Sequence, residues 1–326
     1  MKTILRLLAY CTLLTYTPFS YATDANRSYQ VGVLQIIDHP SLNEVLKGLR
    51  SHLDSSPLKQ KVVLQSHNAQ GNLVTNAQIA KSLVRKKYDA LIGIGTPSAQ
   101  ALLVKNKSTP VLFSPISDPV GAKLVTSWTK PGGLATGTSD KSPVDKQIEL
   151  ILEMQPGIRK IGVLYNASED NSLTLVAAFK QACKERQVAP AEMAVQNSTM
   201  ISAAASALAA QGAQAIYIPT DNMLVSAIES VVAAGIRHKV PVYSGEKESV
   251  QRGSVASLAT NYLRLGQLLG AQLEQILVAG KSPAEIAVAS LPLSDFQLVV
   301  NKKAAAQMGI PQIPASILQR ASEVFN

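Results

Sequence analysis

The feature that most constrains this chain is an alternation. Short runs rich in β-branched residues are each followed by an amphipathic helical stretch, and the series runs twice. The strand-like runs are Val31–Ile37, Lys61–Gln65, Ala90–Gly95, Val111–Phe113, Ile161–Tyr165, Ala215–Ile218, Val240–Tyr243 and Phe296–Val300. Nearly all are apolar throughout, the pattern of strands covered on both faces. Helical spacing of apolar residues marks Ser41–Leu53, Asn76–Lys87, Ser98–Lys105, Pro143–Met154, Leu173–Arg186, Ser202–Ala210, Met223–Ala234 and Tyr262–Val278 between them. Strands and helices in this order build a parallel sheet with helices on both faces.

The second half echoes the first. Val31-Gly32-Val33-Leu34 returns as Ile161-Gly162-Val163-Leu164, and Pro110-Val111-Leu112-Phe113-Ser114 as Pro241-Val242-Tyr243-Ser244. Leu91 to Ser98 has its counterpart in Ile216 to Asn222, and all three echoes lie at an offset of about 130 residues. The 326 residues suit two domains. The expected fold is therefore α/β, with two Rossmann-like lobes that each hold a parallel sheet. The Pro-, Gly- and Ser-rich stretch Ser114–Lys141 reads as the first crossing between them, with Tyr243–Gly253 and Leu291–Phe296 as the second and third. That makes a three-segment hinge and divides the chain into 28–117 with 250–291, and 118–249 with 292–326. A hinged crevice at strand carboxyl ends is where a ligand is expected.

Residues 1–22 read as a secretory leader. Lys2 and Arg6 are followed by the apolar run Leu7–Leu14, and small residues stand at Ser20 and Ala22. The run is too short for a membrane anchor, and bulky Tyr10 before Cys11 argues against a lipoprotein. Cleavage near Ala22 leaves Cys183 alone, so no internal disulfide is expected of an exported chain. Apolar neighbours make Cys183 a buried hydrophobe rather than a nucleophile. The net charge of +9 is scattered over residues such as Lys59, Lys61, Lys81 and Arg85, with no basic cluster interleaved with aromatics. Nucleic acid is not an expected partner, and a periplasmic monomer is.

Each strand ends in small polar residues. Asp38-His39-Pro40 follows the first and Thr96-Pro97-Ser98 the third, and Ser117-Asp118-Pro119 lies beyond the fourth. Tyr165-Asn166, Thr220-Asp221-Asn222 and Ser244-Gly245-Glu246 hold the matching places in the second half. Thr96 reads as a helix N-cap with Pro97 at the first helical position. Free N–H groups there, flanked by hydroxyls, also suit a carboxylate. Asp221 is a helix cap or a partner for a ligand ammonium. Asp118 and Glu246, at crossings, grip a ligand or tie the hinge. A carboxylate grip on one lobe and an acid on the other would let an amino acid hold the lobes shut. The four histidines, His39, His52, His67 and His238, have no metal-type spacing, and no nucleophile elbow or phosphate-binding loop is present. Catalysis, a metal and a cofactor are not expected.

Several of these segments together resemble a known family. They are Gly32 to Pro40, Asn68-Ala69-Gln70-Gly71-Asn72, Gly95 to Gln100, Ser117 to Ala122, Pro131-Gly132-Gly133, Thr138-Ser139-Asp140, Ile161 to Asn166 and Ile218 to Asn222. In this order they are similar to the ABC-importer substrate-binding proteins of the tryptophan/tyrosine type, which have the type I periplasmic-binding-protein fold. The resemblance implies capture of a hydrophobic, aromatic amino acid for an ABC permease in the inner membrane. It places Thr96 and Ser98 at the ligand carboxylate, Asp221, Asn166 and Asp118 at its amino end, and Gln35 and His39 along its side chain. Two positions depart from the family pattern: Asp38 stands where the family has Glu, and Glu246 where it often has Asp. A sensor of the same fold docked to a membrane receptor, and a binder of another small metabolite, are the competing functions. An enzyme in the crevice is disfavoured by the missing nucleophile–base arrangement.

Overall fold

The computed structural model describes residues 27–326, so the expected leader lies outside the described residues. In chain order the first elements are β1 (Tyr29–Gln35), α1 (Pro40–Asp54), β2 (Val62–Asn68), α2 (Leu73–Arg85), β3 (Ala90–Ile94), α3 (Thr96–Leu103), β4 (Val111–Ser114) and β5 (Ala135–Ser139). The chain then crosses to α4 (Val144–Met154), β6 (Lys160–Asn166), α5 (Asp170–Glu185), β7 (Ala189–Val195), α6 (Ile201–Ala210) and β8 (Ala215–Ile218). It continues with α7 (Asn222–Ser226), α8 (Ile228–His238), β9 (Val242–Ser244), α9 (Lys247–Gln251) and β10 (Ala256–Ala259). It returns for α10 (Tyr262–Leu277) and β11 (Ala289–Ser290), then crosses again for β12 (Gln297–Asn301), α11 (Lys302–Gln307), α12 (Ala315–Arg320) and β13 (Glu323–Phe325).

The first lobe holds a parallel sheet of order β11-β5-β4-β3-β1-β2. The second holds a parallel sheet of order β7-β6-β8-β9. A small sheet β10-β12-β13 completes it, with β10 antiparallel to β12. Counted from each lobe's first strand, both parallel sheets share the order 2-1-3-4. The order reverses between β1 and β3 and between β6 and β8, so each lobe has its switch point there and opens a crevice beyond its strand ends. The two lobes of the α/β fold expected from the sequence are present. The edge strands β2 and β7 are half-exposed rather than covered on both faces.

The sheets place the first two crossings later than the composition suggests and the third, between Ser290 and Gln297, where it is expected. Residues 118–139 belong with the first lobe, because Ile116, Ala122, Leu124, Val125 and Ala135 share a core with Leu34, Leu91 and Phe113. β5 closes against β4 where Gly137 faces Phe113, and a Cβ on Gly137 would lie 2.0 Å from the Phe113 carbonyl oxygen. A glycine that reads as loop composition is thus what lets a fifth strand in. Residues 250–260 belong with the second lobe, since Ala256–Ala259 pairs with β12. The three crossings therefore fall just after β5, just after β10 and between β11 and β12. At the first, Lys141 adopts a left-handed backbone (φ 37°) and its ammonium lies 5.6 Å from the ring centre of Trp128.

Each lobe has its own core. Ile161, Val163, Phe179, Tyr217 and Val242 lie in the second, where Phe179 and Tyr217 stack at 5.9 Å. In the first, α1 and α10 cover one sheet face with Val45, Leu49, Leu265 and Leu269. These helices touch through glycines, since a Cβ on Gly48 would lie 2.0 Å from the Leu263 carbonyl oxygen and one on Gly266 2.0 Å from that of Val45. That approach sets the position of the α1 start, which carries Ser41 and Leu42 to the crevice. Among the described residues no helix is long and apolar enough to cross a membrane.

Candidate functional site

The strand ends of the two lobes face each other, and side chains bridge them. The Ser41 hydroxyl at the start of α1 lies within hydrogen-bond distance of Glu246 and, at 2.8 Å, of Glu248 of the other lobe. Gln100 on α3 donates to Asp170 at 2.7 Å, and the Ser117 and Thr220 hydroxyls lie 3.3 Å apart. Two cavities lie between the lobes. The inner one, of about 10 Å³, has Leu42, Thr96 and Ser117 of the first lobe facing Thr220, Asn222 and Glu246 of the second, with Asp140 at the crossing. The outer one, of about 260 Å³, lies between Ile36, Ile37 and Val74 on one side and Asn166, Glu169 and Met223 on the other. Asn222 lines both.

Among the residues expected at the site, Thr96 and Glu246 line the inner cavity. Thr96 is the first helical residue of α3 and Gly95 holds the N-cap place, one position earlier than the sequence suggests. Glu246 is 3% exposed, and burial pushes its carboxyl well above the ordinary carboxylate range, with Glu248 and Asp140 pushing the same way. His39 packs beside it, its Nδ1 3.9 Å from Glu246 Oε2. Burial pulls its pKa down to about 4, opposed by the neighbouring Asn222 side chain, which leaves a neutral imidazole at pH 7. Asn166 lines the outer cavity, where its side-chain amide donates to Glu169 at 3.1 Å.

Four expected residues are engaged elsewhere. Ser98 donates to Asn76 Oδ1 at 2.8 Å, and Asn76 in turn donates to the Pro97 carbonyl, a buried tie between α3 and α2. Asp221 is wholly buried and caps α7 by accepting from Leu224 N–H at 2.9 Å. It also accepts from Asn166 N–H and from the Ser172 hydroxyl, both at 2.6 Å, so it braces β6, β8 and α5 against one another. Asp118 caps its own turn through Gly121 N–H at 2.9 Å and lines neither cavity. Gln35 donates to the Ile37 carbonyl at 2.7 Å and to Asn43 at 3.2 Å, which holds the turn after β1 in place. Gln35, Ser98 and Asp221 are buried against partners within their own lobes, while Asp118 stays partly exposed on its turn.

The structure adds Asp140, Glu169, Thr220 and Asn222. Asp140 is 4% exposed, and its Oδ1 has no hydrogen-bond partner. Burial pushes its carboxyl up to about 6, opposed by the Ser117 and Thr220 hydroxyls and by nearby backbone N–H groups. Glu169 is raised to about 7 by burial and by the charge of Asp221. Thr138-Ser139-Asp140 was visible as a segment, but a residue placed inside a long loop gives no sign that it faces the crevice. Thr220 and Asn222 flank Asp221 between β8 and α7.

The inner wall thus carries two buried acids, Asp140 and Glu246, and no Lys or Arg lines it. Arg252, the cation that bears on Glu246, is committed to Glu229 and to the Val225 and Ser226 carbonyls. Buried carboxylates without a cation are costly, and a ligand cation relieves that cost. Facing them is the start of an eight-residue helix, where unpaired N–H groups favour an anion. A small molecule carrying an ammonium and a carboxylate matches both walls. Among the described residues no group of three or more His, Cys, Asp or Glu is placed to hold a metal ion.

Comparison with known proteins identifies the family. A family model described as ABC transporter substrate binding protein matches residues 30–325. The chain is 32% identical over 295 residues to a tyrosine-binding protein of Clostridioides difficile, covering 90% of this chain and 84% of that one. It is 36% identical to a conserved domain protein of Vibrio cholerae, with a TM-score of 0.88 over 91% of this chain and 100% of the other. A Streptococcus pneumoniae ABC domain in complex with L-Trp is 34% identical, with a TM-score of 0.87 and coverages of 91% and 100%. The ligand-free, open structure of a Clostridium difficile substrate-binding protein, 31% identical with coverages of 91% and 99%, gives 0.68. With its two lobes, its crevice and a family match that spans residues 30–325, the chain belongs to the ABC transporter substrate-binding proteins, a class that captures small molecules outside the cytoplasm for an ABC permease.

Proposed function

We propose that this protein captures an aromatic L-amino acid between its lobes and delivers it to the permease. The observation that carries this reading is the inner cavity, where two buried acids face the start of α3 across the crevice. The ligand carboxylate meets α3 at Thr96, and its ammonium meets Asp140 and Glu246. The side chain then extends past Asn222 into the outer cavity, between Ile36, Ile37, Val74 and Met223. Asp140 and Glu246 thus take the amino-end role that the resemblance gave to Asp221, Asn166 and Asp118. Relatives that bind tyrosine and L-Trp support the ligand class. The inner cavity holds about one water, so the lobes part to admit a ligand and then close over it less tightly than they meet here, held by its contacts with both. The higher TM-score with the L-Trp complex than with the open relative agrees with a closed crevice here. Residues 1–22 serve as the export leader, cleaved near Ala22, and the mature chain works as a monomer.

The test is a melting screen of the mature protein with each L-amino acid, with sugars and with nucleosides. L-Trp or L-Tyr at a hundredfold excess over Kd is expected to stabilise the protein by about 2.7 kcal/mol. A shift by sugars or nucleosides and by no amino acid would overturn the reading.

A further inference from the structure

We propose that Glu169 selects among aromatic amino acids by accepting a hydrogen bond from a ring N–H or O–H, so that the crevice prefers tryptophan and tyrosine to phenylalanine. This rests on the amino-acid reading of the crevice given above. Glu169 stands at the N-cap position of α5, yet its side chain does not cap the helix. It turns instead to the amides of Asn166, at the end of β6, and Asn222, at the start of α7, each donating to one carboxylate oxygen. All three residues line the outer cavity.

The carboxyl is 4% exposed and no Lys or Arg lies among its hydrogen-bond or salt-bridge partners. Its fold role is thin for so buried an acid, since only amides, those of Asn166 and Asn222 with Asn171 nearby, hold it, while the helix end goes uncapped. Each carboxylate oxygen accepts more than one hydrogen bond, so a second lone pair remains on both. The opposite wall, Ile36, Ile37 and Val74, is apolar and suits the face of a ring. Asn222 joins the two cavities, so a side chain that leaves the inner one passes Glu169 on its way out. Indole and phenol each carry one donor on the ring edge, and a phenyl ring carries none. A ring without a donor would strip water from Glu169 and offer nothing in return.

A site built to hydrogen-bond a substrate group rejects the analogue that lacks it by large factors when enclosed. This cavity opens beside exposed Val74, so a smaller factor is expected, about 10- to 100-fold. The test is calorimetric titration of the mature protein with L-Trp, L-Tyr and L-Phe, on the wild type and on Glu169→Gln and Glu169→Met. In the wild type, L-Phe is expected to bind at least about tenfold more weakly than the better of the other two. The ratio should shrink in Glu169→Gln, which keeps one acceptor, and fall below about threefold in Glu169→Met, with L-Phe itself little changed. Equal binding of all three by the wild type overturns the proposal, and that comparison needs no variant. A uniform loss for all three ligands in the variants also overturns it, since Glu169 would then merely support Asn222. If none of the three binds the wild type, the amino-acid reading fails instead.

Discussion

Asp140 joins a buried carboxyl with an unpartnered oxygen to a wall that holds no Lys or Arg. Burial raises its pKa to about 6. A carboxyl raised in the folded state contributes stability that is fully present below its unfolded pKa, near 4, and is lost as pH rises through about 6. Asp140→Asn should therefore melt higher than wild type at pH 8, by about 3 °C or more for a chain of this length, with no gain at pH 4. The same change should weaken ligand binding at least about tenfold, because the ammonium loses a charged acceptor. Melting curves between pH 4 and 8, with titration at pH 7.5, check both halves, and a variant that is destabilised at pH 8 would count against the assignment. At this scale the sequence was legible in part: it set Thr96 at the start of a helix after the third strand, one place off as its cap. Of the two readings of Asp221 the cap is the one the structure shows; its further tie to Ser172, like that of Ser98 to Asn76, was not legible, because those partners come from other helices and no local pattern predicts the meetings.

α1 brings its first turn to the crevice because α10 lets it lie close. Gly48 and Gly266 remove the side chains that would hold the two helices apart. Gly266→Ala should force them to separate and destabilise the fold by about 1–3 kcal/mol. It should also weaken ligand binding, because Ser41 and Leu42 move with α1. Gly133→Ala, where a Cβ meets nothing within 4 Å, is the control that should leave both unchanged, and denaturant titration with calorimetry separates the two. Periodicity alone carried most elements: β1, β3, β4, β6 and β8 and the long helices fall within a few residues of their expected places. It failed where composition misleads. β5 has a glycine, an alanine and three hydroxyl residues, and β10 is a four-residue Ala/Ser-rich strand. Both are recognisable only from the strand they pair with, and that is a long-range fact.

The whole molecule is two copies of one sheet order joined by three crossings, and its crevice is closed by side chains from both lobes. Cysteines at positions 117 and 220, where the hydroxyls now lie 3.3 Å apart, should form a disulfide across the crevice. The oxidised Ser117→Cys/Thr220→Cys protein should take up no ligand, because the inner cavity is too small to admit one without opening, and a reductant should restore uptake. Binding by the oxidised form at the reduced rate would mean that entry does not need the lobes to part. The twofold repeat and the existence of a hinge were readable from the chain. Its exact place was not, because residues 118–139 have a linker's composition and a core's packing.

Trp128 is the chain's one tryptophan, and it packs beside Lys141 at the first crossing. That pairing gives the molecule a native optical probe at its moving joint. A change in the angle between the lobes alters the surroundings of a single emitter. With a non-fluorescent or tyrosine-like ligand, each binding and release step is open to stopped-flow recording without any label.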